Sequence, residues 1–453
     1  MLEILERKFK LSERGTNVKT EMVAGLTTFL SCVSIVAINP LILSAAGMDI
    51  QGVFWATALS AVIACIWMGL YTNFPFALGP AMGLNSFFVY YCVMNVGMSW
   101  QNALACVCIS GCTFMLLSFF GVQQKIVDAV PGCIRNSVGP GIGLFIAFTG
   151  LTSAGIVVPS ESTTITIGDL GNPGAILALL GILLTVILTI RGVKGSILIG
   201  IAVITILGIF VKDPATGLAY TQLPEHFISW ENPVVAMKPV FGKLSFDGMF
   251  SGGATAVVGV GFAIVSFLFV DLFDSIGVLL GVASKAGLLD KDGKMPGAGK
   301  ALMVSAGGAA IGAVLGTSTV TIYGAESTTG IAEGGRTGLT PCVTGALFIL
   351  TLFFSPVFLM IPSVAITPAL VMVGIFMMEP LKNIDLSDFR QAMPAFFAMA
   401  FMTFTYNIAY GILFAFVTYT LGQIVSGNLK KMNKTMIILG IISLVYIVVD
   451  MFI

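Results

Sequence analysis

Charged residues are scarce in this chain. They make up 10% of its 453 residues, whereas 57% are hydrophobic, and soluble domains carry roughly 25% charged residues. Between residues 22 and 124 Asp49 is the one charged side chain, although a soluble helix needs a polar face along its length. A spanning helix takes about 20 apolar residues, so this region holds about four of them. The scarcity of charge excludes a soluble fold and predicts a polytopic membrane protein.

Histidine and paired cysteines are also nearly absent, which argues against metal and redox chemistry. The eight cysteines are scattered without a CxxC pair, and we interpret them as small packing residues. The single histidine, His226, falls in a predicted external loop and is not expected to carry protons. The segment GGRTGLT lacks the phosphate-loop pattern, and no nucleophile–base pair is visible. We therefore expect no metal, no cofactor and no enzyme, and the zero net charge predicts no nucleic-acid partner.

Apolar segments fill the chain and predict an all-α protein with 14 spans. One stretch, 391–425, would be over ~50 Å long as a single helix against a hydrocarbon core of ~30 Å, so it must hold two spans that divide within 405–411. A final apolar run, 436–453, is an extra C-terminal helix that either spans the bilayer or lies at its surface. The predicted spans are 22–46, 52–72, 76–96, 100–121, 134–158, 174–190, 194–211, 256–284, 299–317, 318–333, 341–360, 361–378 and the two within 391–425.

Basic residues predict the orientation, because cytoplasmic loops are enriched in lysine and arginine. We expect the protein to lie in the cell membrane. The N-terminal segment carries five basic residues and is therefore placed on the cytoplasmic side. Alternation of the loops then brings most other basic residues to the same side. The long external connection 212–246 holds three lysines, an exception that long loops tolerate. The residues placed inside are Lys125, Arg135, Arg191, Lys194, Lys285, Lys300, Arg336, Lys382, Arg390, Lys430, Lys431 and Lys434.

The two halves of the chain resemble each other weakly. LSAAGM has a counterpart in ASKAGL, and LGPAMGLN has one in LGTSTVTIYGAE. The second half begins on the opposite side of the membrane, which predicts the inverted-topology repeat common in secondary transporters. The predicted units are a cytoplasmic segment 1–21, a first seven-span repeat 22–211, an external loop 212–246, a second seven-span repeat 247–427, and a basic loop with the C-terminal helix at 428–453.

The matching segments of the two halves are the least helix-like parts of the membrane region. NFPFALGPAMGLN contains two prolines and two glycines, and GTSTVTIYG is rich in β-branched residues. Backbone that leaves a helix inside the membrane must line a cavity or be buried in protein, and its free N–H and C=O groups suit a planar heterocycle. The alternative is that glycine and proline are simply frequent in spanning helices. The predicted backbone contacts are Met82, Gly83, Leu84, Asn85, Thr319, Val320, Thr321 and Ile322.

Three carboxylates are predicted to lie inside the membrane, where charge is costly and indicates function. Asp271 and Asp274 lie on one helix face in FLFVDLFDSIG, and Glu326 begins the helix after the second broken segment. Such groups can bind and release a proton and accept hydrogen bonds from ring N–H groups, or else cap helices. The Asn85 amide could bind a base edge or act as a helix cap. Glu333 and Arg336 are expected to pair or cap at a cytoplasmic edge.

These residues also carry a family resemblance. From about residue 21 to 434 the chain resembles the nucleobase–cation symporter-2 superfamily, and within it the azaguanine-type permeases for adenine, guanine and hypoxanthine. The segments that carry the resemblance are EMVAGLTTFL, INPLILSAAGM, GPAMGLN, FVDLFDSIG, GTSTVTIYGAESTTGIAEGGRTGLT and ITPALVMVG. The stretch in the tenth span is the most specific. The sequence departs from the family pattern at LSCVSIVAINP, at Tyr-Gly-Ala-Glu and within 391–425.

The resemblance implies a core domain and a gate domain, with a short strand in spans 3 and 10 and gate helices at 134–158 and 361–378. It implies that Asp271 and Glu326 bind substrate, with Asp274 one turn from Asp271 and Asn85 as the polar residue of span 3. It also implies import of purine nucleobases by proton symport, with H⁺ as the coupling ion and these three carboxylates as the coupling groups.

Several alternatives stay open. A uracil or xanthine permease would share the fold. An anion carrier would need a positive field that three carboxylates oppose, and a membrane enzyme would need a catalytic cluster at a membrane face. The choice among adenine, hypoxanthine and guanine, sodium instead of proton coupling, and a homodimer instead of a monomer are all undecided by the sequence.

Overall fold

The computed structural model describes residues 2–121, 130–193, 195–229, 232–250, 253–290, 295–428 and 432–452. Of the basic residues used to orient the chain, Lys125, Lys194, Lys430 and Lys431 lie outside the described residues. Eight of the described helices are long and apolar enough to cross a membrane on their own. The remaining spans are shorter or interrupted helices, and several of them border the candidate site.

The first repeat begins after an N-terminal helix, Leu2–Phe9. Span 1 is kinked into two helices, and span 3 starts as a strand (β1) before it becomes helical. A two-stranded hairpin follows span 5, with strands β2 (Val157–Ser160) and β3 (Thr164–Ile167). Spans 1 to 7 are Val18–Cys32 with Ile35–Ser44, Ile50–Thr72, β1 Leu78–Pro80 with Met82–Ser86 and Phe87–Asn95, Trp100–Phe119, Gly132–Ser153, Pro173–Ile190 and Ser196–Phe210.

The second repeat follows a connection that contains the short helix Pro233–Met237 and an exposed His226. Span 10 again starts as a strand (β4), as the resemblance implied. Spans 8 to 14 are Gly253–Lys285, Ala298–Leu315, β4 Val320–Ile322 with Ala325–Ala332, Leu339–Phe353, Ser363–Phe376, Phe389–Phe404 and Ile408–Val425. The predicted extra helix is Lys434–Phe452.

The predicted division of 391–425 into two spans is confirmed. Span 13 ends at Phe404 and span 14 begins at Ile408, so only three residues separate them. Tyr406 adopts a φ of 52° there, which reverses the chain, and the Asn407 side chain accepts hydrogen bonds from the N–H groups of Ala409 and Tyr410. The extended stretch therefore breaks at a left-handed residue followed by a capped helix.

The two broken spans cross at strands β1 and β4, which pair antiparallel with Gly79 opposite Thr321. Beyond the strands the Ala81 N–H donates to the Thr319 carbonyl at 2.9 Å. Tyr323 lies so close to Gly79 that a Cβ there would collide with its phenol ring. Each short strand thus satisfies backbone groups of the other, which is how non-helical backbone can exist inside a membrane protein.

The spans pack as two groups. Spans 1–4 pack with spans 8–11, and we call this group the core; spans 5–7 pack with spans 12–14, and we call it the gate. Close helix crossings inside each group depend on glycine pairs, Gly69 with Gly338 in the core and Gly143 with Gly374 in the gate. A Cβ on any of these four glycines would strike backbone of the facing helix or loop. The architecture is the predicted seven-plus-seven inverted repeat with a core and a gate.

Candidate functional site

Asp271 is the buried carboxylate of span 8, with 1% of its surface exposed. Its Oδ1 accepts a hydrogen bond from the Ser275 hydroxyl at 3.1 Å, and Ser275 lies 3.1 Å from the Ser305 hydroxyl of span 9. Its Oδ2 has no hydrogen-bond partner among the described residues. A buried carboxylate oxygen without a donor is costly, so this atom is available to a ligand that brings an N–H group.

Glu326 and Asp274 are half-buried, and Asp274 lies one turn along span 8 from Asp271. Glu326 is in the first turn of the span 10 helix, whose N-terminus has no side-chain cap. The positive end of a helix dipole stabilises negative charge at that position. Span 8 packs against β4 and this helix, and Val278 lies 3.2 Å from the position of a Cβ on Gly324. Asp274 is close enough to both other carboxylates to interact with them electrostatically.

Asn85 is fully buried inside a network of polar side chains. Its Nδ2 donates to Asn39 Oδ1, and its Oδ1 accepts from the Ser318 hydroxyl. Asn39 in turn donates to the hydroxyls of Thr57 at 2.6 Å and Thr317 at 2.7 Å. The network joins spans 1, 2 and 3 to the start of the span 10 crossing. Asn85 is the fourth residue of its helix and therefore not a cap, and its amide oxygen is already engaged.

The backbone residues predicted to contact substrate lie on both sides of the crossing. Met82, Gly83 and Leu84 form the first turn of the span 3 helix, where N–H groups have no partner within the helix. Val320 to Ile322 pair with β1, so part of their backbone is already hydrogen-bonded. Thr319 contributes an unexpected group: its buried Oγ1 has no hydrogen-bond partner among the described residues.

Span 8 packs against β4, the span 10 helix and the start of the span 3 helix, so the elements that carry the predicted residues meet at the strand crossing. The groups available there are the N-termini of the span 3 and span 10 helices, the unbonded atoms Asp271 Oδ2 and Thr319 Oγ1, and the half-buried carboxylates of Asp274 and Glu326. Such a set can accept hydrogen bonds from N–H groups on one edge of a planar heterocycle and donate to acceptors on another edge.

Four of the polar residues that complete this arrangement were not predicted: Asn39, Ser275, Ser305 and Ser318. Asn39, Ser275 and Ser305 are polar residues in apolar stretches, and for Asn39 that alone was a usable signal, since an amide inside a span needs a partner. The serines gave no such signal, because serine is a common residue at helix contacts in membranes.

Replacing Asn39 by alanine should destabilise the crossing. The change orphans Asn85 Nδ2 and leaves the hydroxyls of Thr57 and Thr317 without their amide donor. Each buried polar group left unsatisfied costs about 1–3 kcal/mol. We expect a lower apparent Tm in detergent and reduced uptake. Asn95→Ala, at the exposed end of span 3, is the matched control and should leave both unchanged; an unaltered Tm for Asn39→Ala would contradict the role of the network.

Comparison with known proteins places the chain among permeases. Residues 19–414 match the permease family Xan_ur_permease. The chain is 43% identical over 442 residues to a permease of Methanocaldococcus jannaschii, with 98% of each chain covered. It is 38% identical over 447 residues to the adenine permease AdeQ of Escherichia coli K12, covering 98% of this chain and 97% of that one. It is also 38% identical over 451 residues to the guanine/hypoxanthine permease PbuG of Bacillus subtilis, with 97% and 98% covered.

Solved structures share the fold at low sequence identity. The transmembrane domain of the cyanobacterial bicarbonate transporter BicA aligns with a TM-score of 0.60 at 13% identity and covers 90% of this chain and 97% of that one. The murine anion transporter Slc26a9 in its inward-facing state aligns with a TM-score of 0.64 at 12% identity and covers 90% and 68%. At this identity the likeness concerns the architecture alone.

Proposed function

The chain belongs to the permease family of nucleobase transporters, and on this premise we propose that it imports purine nucleobases by proton symport through alternating access. It is a multi-pass membrane protein and a transporter, not an enzyme. The observation that carries the proposal is the meeting of Asp271, Asp274 and Glu326 at the crossing of two broken spans.

The base binds between the helix ends of spans 3 and 10. Asp271 Oδ2 and the Glu326 carboxylate accept hydrogen bonds from ring N–H groups, while backbone N–H groups of the span 3 helix donate to ring nitrogens or a carbonyl. Thr319 Oγ1 can donate or accept at the same edge. Three neighbouring carboxylates repel each other when all are ionised, so a proton on one of them favours the loaded site. Proton binding and substrate binding are thereby linked.

The purine class is supported by the relatives, whose names assign adenine to AdeQ and guanine and hypoxanthine to PbuG. These two relatives share the same identity with this chain, so they do not rank the bases. A carboxylate pair that accepts N–H groups is compatible with each of the three purines, because each carries N–H donors on the ring or on an exocyclic amine.

Alternating access requires the core to move against the gate. Contacts of span 3 cross that boundary: Gly83 packs on Ile142 of span 5, and the rings of Tyr90 and Tyr406 lie 5.8 Å apart. Tyr406 is also 3.1 Å from the Thr152 hydroxyl of span 5. The Gly83–Ile142 and Tyr90–Tyr406 contacts form in the described conformation and must change when the core moves, whereas the Tyr406–Thr152 contact lies within the gate.

Uptake of labelled hypoxanthine in cells without their own purine carriers tests the proposal. Competition by unlabelled adenine, guanine, xanthine and uracil gives the substrate class. An uncoupler should abolish accumulation, whereas removal of sodium should not. Competition only by uracil or xanthine would identify the alternative permease of the same fold, and sodium dependence would refute proton coupling. Absence of any nucleobase uptake, with the protein present in the membrane, would reject the proposed function.

Replacing Gly83 by alanine should slow transport more than it weakens binding. The added Cβ would collide with Ile142 Cγ2, which destabilises the conformation in which core and gate touch here. Overpacking of this kind costs about 1–3 kcal/mol and shifts the population of states several-fold. We expect the maximal uptake rate to fall several-fold. The double variant Gly83→Ala with Ile142→Ala should recover most of the rate; no recovery would mean that the collision is not the cause.

A further inference from the structure

Glu21 is a second kind of buried carboxylate, remote from the strand crossing. It lies in the first turn of span 1 and has no exposed surface. Its Oε1 accepts hydrogen bonds from the N–H groups of Arg336 at 2.8 Å and Thr337 at 3.2 Å. Its Oε2 accepts from the Thr340 N–H at 3.1 Å and the Thr340 hydroxyl at 2.6 Å. Both carboxylate oxygens are therefore filled by donors from one short segment.

That segment connects spans 10 and 11. Thr340 is the second residue of span 11, whose N-terminus has no cap from its own side chains. Glu21 thus caps span 11 from another helix, which satisfies N–H groups that a helix start leaves free. The same segment contains GGRTGLT, the glycine-rich motif left without a role by the sequence.

The span 10 helix, Ala325–Ala332, is attached to this segment at its C-terminal end. The Arg336 guanidinium donates to the Ile331 carbonyl at 2.6 Å and to the Gly335 carbonyl at 2.8 Å. Span 10 also packs directly on span 1: a Cβ on Gly330 would collide with Thr28 Oγ1. The Ser31 and Thr329 hydroxyls lie 2.9 Å apart across the same contact.

A short, closely packed piece of chain therefore joins the Glu21 clamp to Glu326. The helix that carries Glu326 is 8 residues long, and hydrogen bonds within a helix transmit a displacement of its C-terminal end along its length. A shift of about 1 Å in a binding group can cost about two orders of magnitude in activity. The position of the C-terminal end of this helix therefore helps to determine the position of the Glu326 carboxylate.

We propose that Glu21 is a positioning residue for the substrate site: it clamps the segment 336–340 so that the span 10 helix holds Glu326 at the strand crossing. The proposal rests on the proposed function, because it assigns Glu326 to the substrate. Glu21 itself does not touch the substrate.

Replacing Glu21 by glutamine is a sharp test, because the side chain keeps its size but one of its two acceptor oxygens is replaced by an NH₂ group. The four donors that now reach Glu21 need two acceptor oxygens, and the amide NH₂ group would face N–H or O–H donors instead. We expect KM for hypoxanthine to rise about tenfold, the order set by hydrogen bonds to a charged group. A purely structural loss would reduce the number of carriers and hence the maximal rate per cell, with KM unchanged.

Three variants and the wild type are compared by uptake kinetics, normalised to the amount of protein in the membrane. Glu13→Gln is the matched control, since Glu13 is exposed in the N-terminal segment and should keep the wild-type KM. Thr340→Val removes one donor and should raise KM less than Glu21→Gln does. If Glu21→Gln does not reach the membrane, the rise in KM for Thr340→Val decides the question.

Unchanged KM in both Glu21→Gln and Thr340→Val would overturn the positioning role. This failure is distinct from failure of the proposed function, in which the wild type itself takes up no purine. A raised KM in the two variants, with a wild-type KM for Glu13→Gln, would establish it.

Discussion

Replacing Glu326 by glutamine should abolish the accumulation of purine above its external concentration. The amide keeps the shape of the side chain but cannot take up a proton, and its NH₂ group would meet a ring N–H donor. Glu326 is the carboxylate at the N-terminus of the span 10 helix, half-buried and beside Asp274. We expect the intracellular concentration of labelled purine to rise no higher than the external concentration.

Two measurements separate the roles of Glu326. Exchange of internal for external purine does not need a proton gradient, so a variant that exchanges but does not accumulate has lost coupling alone. A variant that does neither has lost binding. Glu161→Gln, in the exposed turn of the hairpin after span 5, is the control and should accumulate purine normally. Wild-type accumulation by Glu326→Gln would remove Glu326 from the mechanism.

Replacing Asp271 by asparagine should weaken substrate binding strongly. Its Oδ2 is the buried acceptor without a partner among the described residues, and an asparagine in the same place would present either a weaker carbonyl acceptor or an NH₂ group. A hydrogen bond to a charged group contributes about 1.5–3 kcal/mol, which corresponds to a loss of affinity of about tenfold or more. Binding of labelled hypoxanthine to purified protein measures the effect directly.

Asp274→Asn is the comparison for Asp271→Asn, because it lies one turn away on the same helix and is half-buried. We expect Asp274 to act on the site through its charge and not through a contact with the base, and therefore we expect a smaller loss of affinity for Asp274→Asn. A larger loss of affinity for Asp274→Asn than for Asp271→Asn would indicate that Asp274 contacts the substrate and that Asp271 acts through its charge. Wild-type affinity in Asp271→Asn would exclude Asp271 as a substrate contact.

The spans are predictable from the sequence because the bilayer imposes a simple rule. Each backbone group in hydrocarbon must be satisfied within its own segment, so apolar length predicts a helix. The two exceptions are also visible: NFPFALGPAMGLN and GTSTVTIYG contain proline, glycine and β-branched residues that oppose a continuous helix. Hence the two breaks, the extra C-terminal helix and the division of 391–425 are predictable from residue types alone, whereas the strands at the breaks were implied by the family resemblance.

The boundaries are less predictable. Span 5 was predicted to run to residue 158, but its helix ends at Ser153 and the hairpin starts at Val157. Span 11 was predicted to run to residue 360, but it ends at Phe353 and a separate short helix, Ser355–Leu359, follows. Hydropathy does not register where a helix turns, because the residues after the turn are equally apolar.

The sequence by itself determined that this protein is a membrane transporter with 14 spans, and that Asp271, Asp274 and Glu326 lie among them. This was possible because charge in hydrocarbon is costly, so the few charged residues within apolar segments are easily recognised in the sequence. Only the tertiary structure decided which polar groups are engaged and which are available: Asn85 is bound to Asn39 and Ser318, whereas Asp271 Oδ2 and Thr319 Oγ1 are not hydrogen-bonded within the described residues. Glu21 likewise acquired a role only when its donors, over 300 residues away in the chain, were placed against it. Hydrogen bonds between distant segments depend on how helices pack, and a linear pattern of residue types does not contain that geometry.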